Sequence, residues 1–249
     1  MSRGLGDVYK RQIIDNTFST PYLFQPIKHG ADIVVYSSTK GISGHGNVVS
    51  GLIVDGGHFD WAGGKFPQFE ENEFILKSAD HPKHYSFIDV YGKRAYIKRI
   101  RQKYLRLMGA VLAPFEAYLE LVGLETITER LDKEVATSLK IANYLQTNPH
   151  VKAVYYTGLP DSDQYDLAKA SFPKGIGTVL SFELDGTAEQ TATVVDSVKL
   201  FLYLPNVGDS RSLIVNPIKI THREVPVKRR AASHITCLLY TSPSPRDTR

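Results

Sequence analysis

One cysteine, two methionines and one tryptophan among 249 residues already exclude several kinds of protein. A single cysteine cannot build a disulfide framework. No apolar run reaches the length of a membrane span, and no charged-then-apolar signal pattern opens the chain, so the sequence predicts a cytoplasmic protein with no membrane partner. His81 and His84 have a spacing that could bind metal, but no third ligand lies nearby, which predicts a solvated loop and no metal site. A strong charge of either sign is also missing, since 30 Lys and Arg face 26 Asp and Glu for a net +4. Most of that excess sits at the ends. Arg3, Lys10 and Arg11 against Asp7, and Arg246 and Arg249 against Asp247, account for three of the four charges. Residues 1–12 and 237–249 lack apolar periodicity and resemble translated adapter sequence, so both are set aside as foreign-looking tails. The remaining charge gives no reason to expect a nucleic-acid partner, and the cationic run from Lys93 to Arg106 reads as a solvated helix face. Arg223, Arg229 and Arg230 read as surface charges.

What is present is a core-forming composition, 42% hydrophobic and 10% aromatic, sufficient for one large domain or one and a half. Ile13 to Phe18, Asp32 to Ser37 and Val48 to Asp55 read as buried strands, which suggests a sheet covered on both faces, as in α/β folds. A long polar loop with Trp61, Phe66 and Phe69 follows, and its aromatics are expected to pack it. Ile97, Ile100, Tyr104, Leu107 and Val111 place an apolar stripe on a helix, and Pro114 breaks it. A second helix starts at Phe115. A third carries Leu131, Val135, Leu139, Ala142 and Leu145 and stops at Asn148-Pro149. Val151 to Tyr156, Thr178 to Leu184 and Ser212 to Val215 read as strands, and Ala188 to Leu202 as a helix. This order suggests two domains, residues 13–134 and 135–236, with the boundary near Glu134.

The most informative stretch is Ser37-Ser38-Thr39-Lys40-Gly41-Ile42-Ser43-Gly44-His45-Gly46. It places a lysine just beyond an apolar strand, beside hydroxyls and a glycine-rich turn. A buried ammonium is costly unless its pKa falls or it becomes another group, and a Schiff base to an aldehyde cofactor is one such outcome. Gly41, Gly44 and Gly46 let backbone amides approach an anion. Asp15 lies at the carboxyl end of another apolar run, where α/β sheets place their ligands. Together these residues suit a cofactor with an aldehyde, an anion and a cationic ring, the description of pyridoxal phosphate. His45 is expected to fix the turn rather than take part in chemistry.

Asp15-Asn16-Thr17-Phe18-Ser19-Thr20-Pro21-Tyr22 and Ser37-Ser38-Thr39-Lys40 with Gly44-His45-Gly46 resemble the signature of the Cys/Met-metabolism family of pyridoxal-phosphate enzymes. The resemblance runs from Ile13 to about Thr236. It implies fold type I, the α/β architecture of aspartate aminotransferase, here as the late part of the large domain and a truncated α+β C-terminal domain. Lys40 would form the Schiff base, Asp15 would pair with the pyridinium nitrogen, and Ser37 and Thr39 would hold the phosphate. Ser212, within Val207-Gly208-Asp209-Ser210-Arg211-Ser212-Leu213-Ile214, would lie near the substrate carboxylate. Gly41 and Ser43 depart from the family pattern, which more often has a bulky residue and a glycine there.

Phe59-Asp60-Trp61 with Gly64-Lys65-Phe66-Pro67, and Pro114-Phe115-Glu116-Ala117-Tyr118 before Gly123-Leu124-Glu125-Thr126, resemble O-acetylhomoserine sulfhydrylases. That likeness implies replacement of acetate on O-acetylhomoserine by sulfide or methanethiol, giving homocysteine or methionine. Cystathionine γ-synthase and methionine γ-lyase share this chemistry and are the alternatives. It also implies a full-length homotetramer, a dimer of dimers. The family's ring-stacking aromatic residue and glycine-rich phosphate segment precede the aspartate. Its substrate-carboxylate arginine lies beyond Thr236, where this chain has Cys237-Leu238-Leu239. The chain is therefore expected to be an incomplete copy, and an inactive fragment is the rival reading to an enzyme.

Overall fold

The computed structural model describes residues 11–221, 224–226 and 237–240. His222, Arg223, Arg229 and Arg230 lie outside them. The chain divides into two compact units, each discontinuous in sequence. The first comprises residues up to 16, 25–36 and 51–114, and the second comprises 17–24, 37–50 and 115 onward. This division does not follow the boundary expected near Glu134, which falls inside a continuous helix. Local periodicity shows where a helix begins, but not which segments it packs against.

The first unit holds a three-stranded sheet of order β1-β2-β3, formed by Ile13–Asp15, Ile33–Tyr36 and Leu52–Asp55. β1 runs parallel to β2, with Asp15 opposite Val35, and β3 runs antiparallel to it. Only the central strand is buried as expected. Ile33 and Val34 are covered, whereas Ile13, Ile14, Leu52, Ile53 and Val54, on the two outer strands, are exposed. Their apolar runs fit strands buried on both faces, and the described residues leave those faces open.

The aromatic loop has its own core. Trp61 is 1% exposed and stacks on Tyr96 at 4.7 Å with an 8° interplanar angle. Phe59, Phe66 and Phe69 ring it. Arg11, set aside with the amino-terminal tail, lies over the Trp61 ring at 4.7 Å. Helix α1, Phe87–Tyr91, starts with a capping box in which the Ser86 and Asp89 side chains each satisfy the other's backbone amide. Helix α2, Ala95–Arg99, continues into a π-helix over Ile100–Leu105.

The expected apolar face is not buried along its whole length. Tyr104 and Leu107 are exposed in the last turns, and Val111 lies beyond the helix, which ends at Met108 before a left-handed Gly109. Arg99, expected on the solvated cationic face, is buried and pairs with Glu73 at 2.8 Å, and Lys103 reaches the same carboxylate.

The second unit contains helices α3 (Pro114–Glu125), α4 (Ile127–Thr147), α5 (Tyr165–Ser171) and α6 (Ala188–Ser197). Its sheet has the order β4-β5-β8-β7-β6. These strands are Val151–Tyr155, Val179–Leu184, Leu202–Tyr203, Leu213–Val215 and Cys237–Tyr240 in chain order from β4 to β8. The core joins Ala142 of α4, Val195 of α6 and Leu180, Phe182, Ile214 and Leu239 of the sheet. Helix α6 ends at Ser197, short of the expected Leu202, and residues 202–203 form a strand instead. β8 pairs antiparallel with β5 and β7. The fold thus incorporates four residues that the sequence reading set aside, because a ladder is built from backbone amides and carbonyls that any extended non-proline segment carries. Among the described residues, no helix is long and apolar enough to cross a membrane.

Trp61 is the chain's single tryptophan, so its fluorescence reports the first unit alone. Replacing it with alanine should destabilise that unit by about 3–5 kcal/mol, read from urea unfolding by circular dichroism. A loss under about 1 kcal/mol would mean that the ring cluster is not a core.

Candidate active site

Lys40 belongs to the second unit, in the turn that directly follows β2 in sequence. Its backbone amide donates to Ser37 O at 3.1 Å, and the Gly44 amide donates back to Lys40 O at 2.8 Å. Ser43 N reaches Ser38 O at 2.9 Å. The turn is thus one compact coil from Ser37 to Gly44. Lys40 itself is half-buried, and its Nζ donates to the Asn206 side-chain oxygen at 2.5 Å. Asn206 gave no signal in the sequence, since nothing in its neighbourhood points 166 residues back along the chain.

The hydroxyls around Lys40 have separate tasks. Ser37 is half-buried, and its amide is held by Thr17 Oγ1 at 2.8 Å. Thr39 Oγ1 donates to Ser50 O at 3.2 Å and accepts from Ser50 N at 2.9 Å. Its one proton is therefore spent on the backbone rather than offered to a phosphate. Ser38 is fully buried and shares a hydrogen bond with Ser50 Oγ at 2.8 Å, and Ser50 Oγ in turn donates to Glu120 of α3. His45 Nδ1 lies 2.6 Å from Ser43 O, a contact that fixes the turn, as expected.

The turn fits because glycine stands wherever another element comes close. Gly44 has φ +72° and lies under the Arg130 guanidinium, which a methyl group there would overlap. Gly123 of α3 passes so near Ser43 O that a side chain would collide with backbone, and Gly208 does the same against Gly41 N. Asp209, next to Gly208, is buried and held by Arg211 at 3.0 Å. Ser212, three residues on, is buried, and its carbonyl accepts from Leu202 N at 3.0 Å.

Asp15 belongs to the first unit. It is exposed as the last residue of β1, and the Asn16 amide that follows bonds Val35 O at 3.0 Å. Within its own unit, Asp15 therefore ends β1 opposite Val35 of β2. Among the described residues, no group of three or more His, Cys, Asp or Glu side chains is placed to hold a metal ion.

Two buried charges on α4 went unnoticed in the sequence. Arg130 is 6% exposed and Glu134, four residues on, is 0% exposed. Burial pushes the Glu134 carboxyl up to about 8, the nearby Asp209 adds to the rise, and Arg130 opposes it. A signal did exist: Arg130, Glu134, Thr137 and Ser138 form a polar stripe at helical spacing, and all four are buried.

The family model for the Cys/Met metabolism PLP-dependent enzymes matches residues 8–239, which extends into both of the ends set aside above. The chain is 36% identical over 235 residues to an O-acetyl-L-homoserine sulfhydrylase of Leptospira meyeri, covering 90% of this chain and 51% of the relative. It is 40% identical over 237 residues to a homocysteine/cysteine synthase of Kluyveromyces lactis, covering 90% and 52%. A crystal structure assigned as an O-acetylhomoserine (thiol)-lyase from Campylobacter jejuni, which carries a pyridoxyl-lysine monophosphate, superposes with a TM-score of 0.82 at 31% identity. It covers 96% of this chain and 56% of that one. A cystathionine gamma synthase from Xanthomonas oryzae superposes with a TM-score of 0.73 at 28% identity, covering 98% and 54%. The fold is the α/β architecture expected, that of fold type I PLP enzymes. The chain spans about half the length of the curated relatives it matches.

Glu134 yields a pH prediction. In the unfolded chain its carboxyl titrates near the ordinary 4.5, whereas in the fold it keeps its proton to about 8. The folded state then binds one more proton between these values, so stability falls as pH rises through that window, by at most about 1.4 kcal/mol per pH unit. Glu134→Gln should remove this slope, as measured by urea unfolding at pH 5, 6.5 and 8. Parallel profiles for the two proteins would contradict the assignment.

Proposed function

The chain belongs to the Cys/Met-metabolism family of PLP-dependent enzymes, and from that membership and the Lys40 turn we propose that it is part of a transferase replacing the acetate of O-acetyl-L-homoserine with sulfide or methanethiol. The observation that carries this reading is the half-buried Lys40, its Nζ held by Asn206 and its backbone fixed by a glycine-rich coil. Cystathionine γ-synthase chemistry is the second reading, favoured by the superposition on the Xanthomonas oryzae enzyme. The two differ only in the sulfur nucleophile.

The donor set fits pyridoxal phosphate. Lys40 offers the amine for the aldehyde, Asp15 the carboxylate for the ring nitrogen, and Ser37 a hydroxyl for the phosphate. Thr39 can join Ser37 only by giving up Ser50 O. When bound, the cofactor supplies an electron sink that stabilises carbanions on the substrate. The protein's share is to bind, orient and move protons. Lys40 Nζ, once free, is the base and acid that carries protons at the substrate's α and β carbons. Asn206 accepts a hydrogen bond from that nitrogen and limits where it can go. Ser212, on the segment between β6 and β7 that also carries Asn206, is assigned to the substrate carboxylate. The complete protein, in this reading, is a cytoplasmic homotetramer built as a dimer of dimers.

Because the chain spans about half of its relatives, the isolated protein should hold the cofactor weakly and show no turnover. Incubation with pyridoxal phosphate followed by borohydride reduction, read by peptide mass, should mark Lys40 ahead of the other lysines. Lys40→Ala should lose that mark. Modification spread evenly over the lysines would overturn the site, and a stoichiometric visible band with turnover would show that this half suffices.

A further inference from the structure

The strongest unused feature of the second unit is the environment of Arg130. Its guanidinium donates through Nη1 to Gly41 O at 3.1 Å and through Nη2 to Ile42 O at 3.2 Å and Gly123 O at 2.8 Å. Its Nε reaches Thr126 Oγ1 at 3.2 Å. Two of the three carbonyls belong to the residues that directly follow Lys40. The third belongs to α3, at the position where that helix touches Ser43. A planar fork with fixed donor directions can bridge such groups, whereas an ammonium offers one point charge.

Gly41 and Ile42 are buried, so their carbonyls cannot turn to solvent, and leaving them unpaired would be costly. The buried Glu134, one helical turn beyond Arg130, is the natural competitor for the guanidinium. Kept protonated by burial, it does not pull the fork away from the carbonyls.

We propose that Arg130 is a positioning residue for Lys40: it ties the carbonyls of Gly41 and Ile42 to that of Gly123, and so fixes the backbone from which the Lys40 side chain extends and the place of its Nζ. This rests on the reading of Lys40 as the reactive amine. Arg130 itself touches no reacting atom.

Two measurements on the full chain test it. The first is amide hydrogen exchange at Ser43 and Gly44. The second is the acylation rate of Lys40 by an amine-directed ester, relative to the exposed Lys152 in the same molecule. In Arg130→Lys and Arg130→Gln, exchange at Ser43 and Gly44 should rise at least about tenfold, since hydrogen bonds to a charged group are lost. The Lys40-to-Lys152 ratio should shift severalfold, while amides of β4 and β5 keep their wild-type exchange. A ratio and turn exchange equal to wild type would overturn the proposal. If neither variant folds, the wild-type protein decides: Ser43 and Gly44 amides must exchange as slowly as those of β4 and β5, and exchange at the rate of an unstructured segment refutes the clamp. Failure to trap pyridoxal phosphate on Lys40, with the turn still loosened in the variants, would defeat the cofactor reading and leave the clamp standing.

Discussion

A guanidinium removed from water must find acceptors, and in the second unit it finds backbone carbonyls. That requirement organises much of what surrounds Lys40. Arg130 is buried with the carbonyls of Gly41, Ile42 and Gly123 turned toward it; glycine at 44 leaves room for the guanidinium, and glycine at 123 and 208 lets those segments reach the backbone of Ser43 and Gly41. The coil from Ser37 to Gly44 is thereby tied to α3 and α4, and the Nζ of its lysine donates to Asn206. Such an arrangement suits a group that must be held in place yet remain free to react.

The same logic explains the second layer of hydroxyls. Ser38, Ser50 and Glu120 form a buried chain, and the Thr39 hydroxyl closes on the Ser50 backbone. None of these groups need touch a ligand to matter. A buried polar network is costly when half satisfied and stiff when complete. In the serine-threonine run before Lys40, the Ser38 and Thr39 hydroxyls are both tied to Ser50, and the Ser37 amide is held by Thr17.

How much of this the sequence shows depends on the range of the interaction. The lysine turn, its leading strand and Asp15 at the neighbouring strand end are local and stand out in the letters. The amphipathic helix from Ile127 and its stop at Asn148 follow from periodicity and the proline after it. What escapes is nonlocal or breaks the period. Asn206 pairs with Lys40 across the whole second unit. Arg99 turns inward ahead of the π-helix, where Glu73 and the Phe69 and Phe87 rings receive it, and Leu107 is exposed in the helix's last turn, so the stripe counted from Ile97 to Val111 is not one buried face. The exposed Ile13, Ile14 and Leu52–Val54 have the composition of covered strands, and composition alone does not say whether the covering elements are at hand. Arg130 and Glu134 look like ordinary surface charges until their shared face with Thr137 and Ser138 is drawn on the helix.

The position of β8 has a further meaning. Without Cys237–Tyr240, the five-stranded sheet would separate into two pairs, β4 with β5 and β6 with β7, and isolated strand pairs are marginal in water. The middle of the sheet therefore acts as a receptor for four extended residues. The backbone ladders of β8 to β5 and β7 close the sheet and Leu239 is sunk in the core, so the order of the second unit's sheet hangs on its last strand.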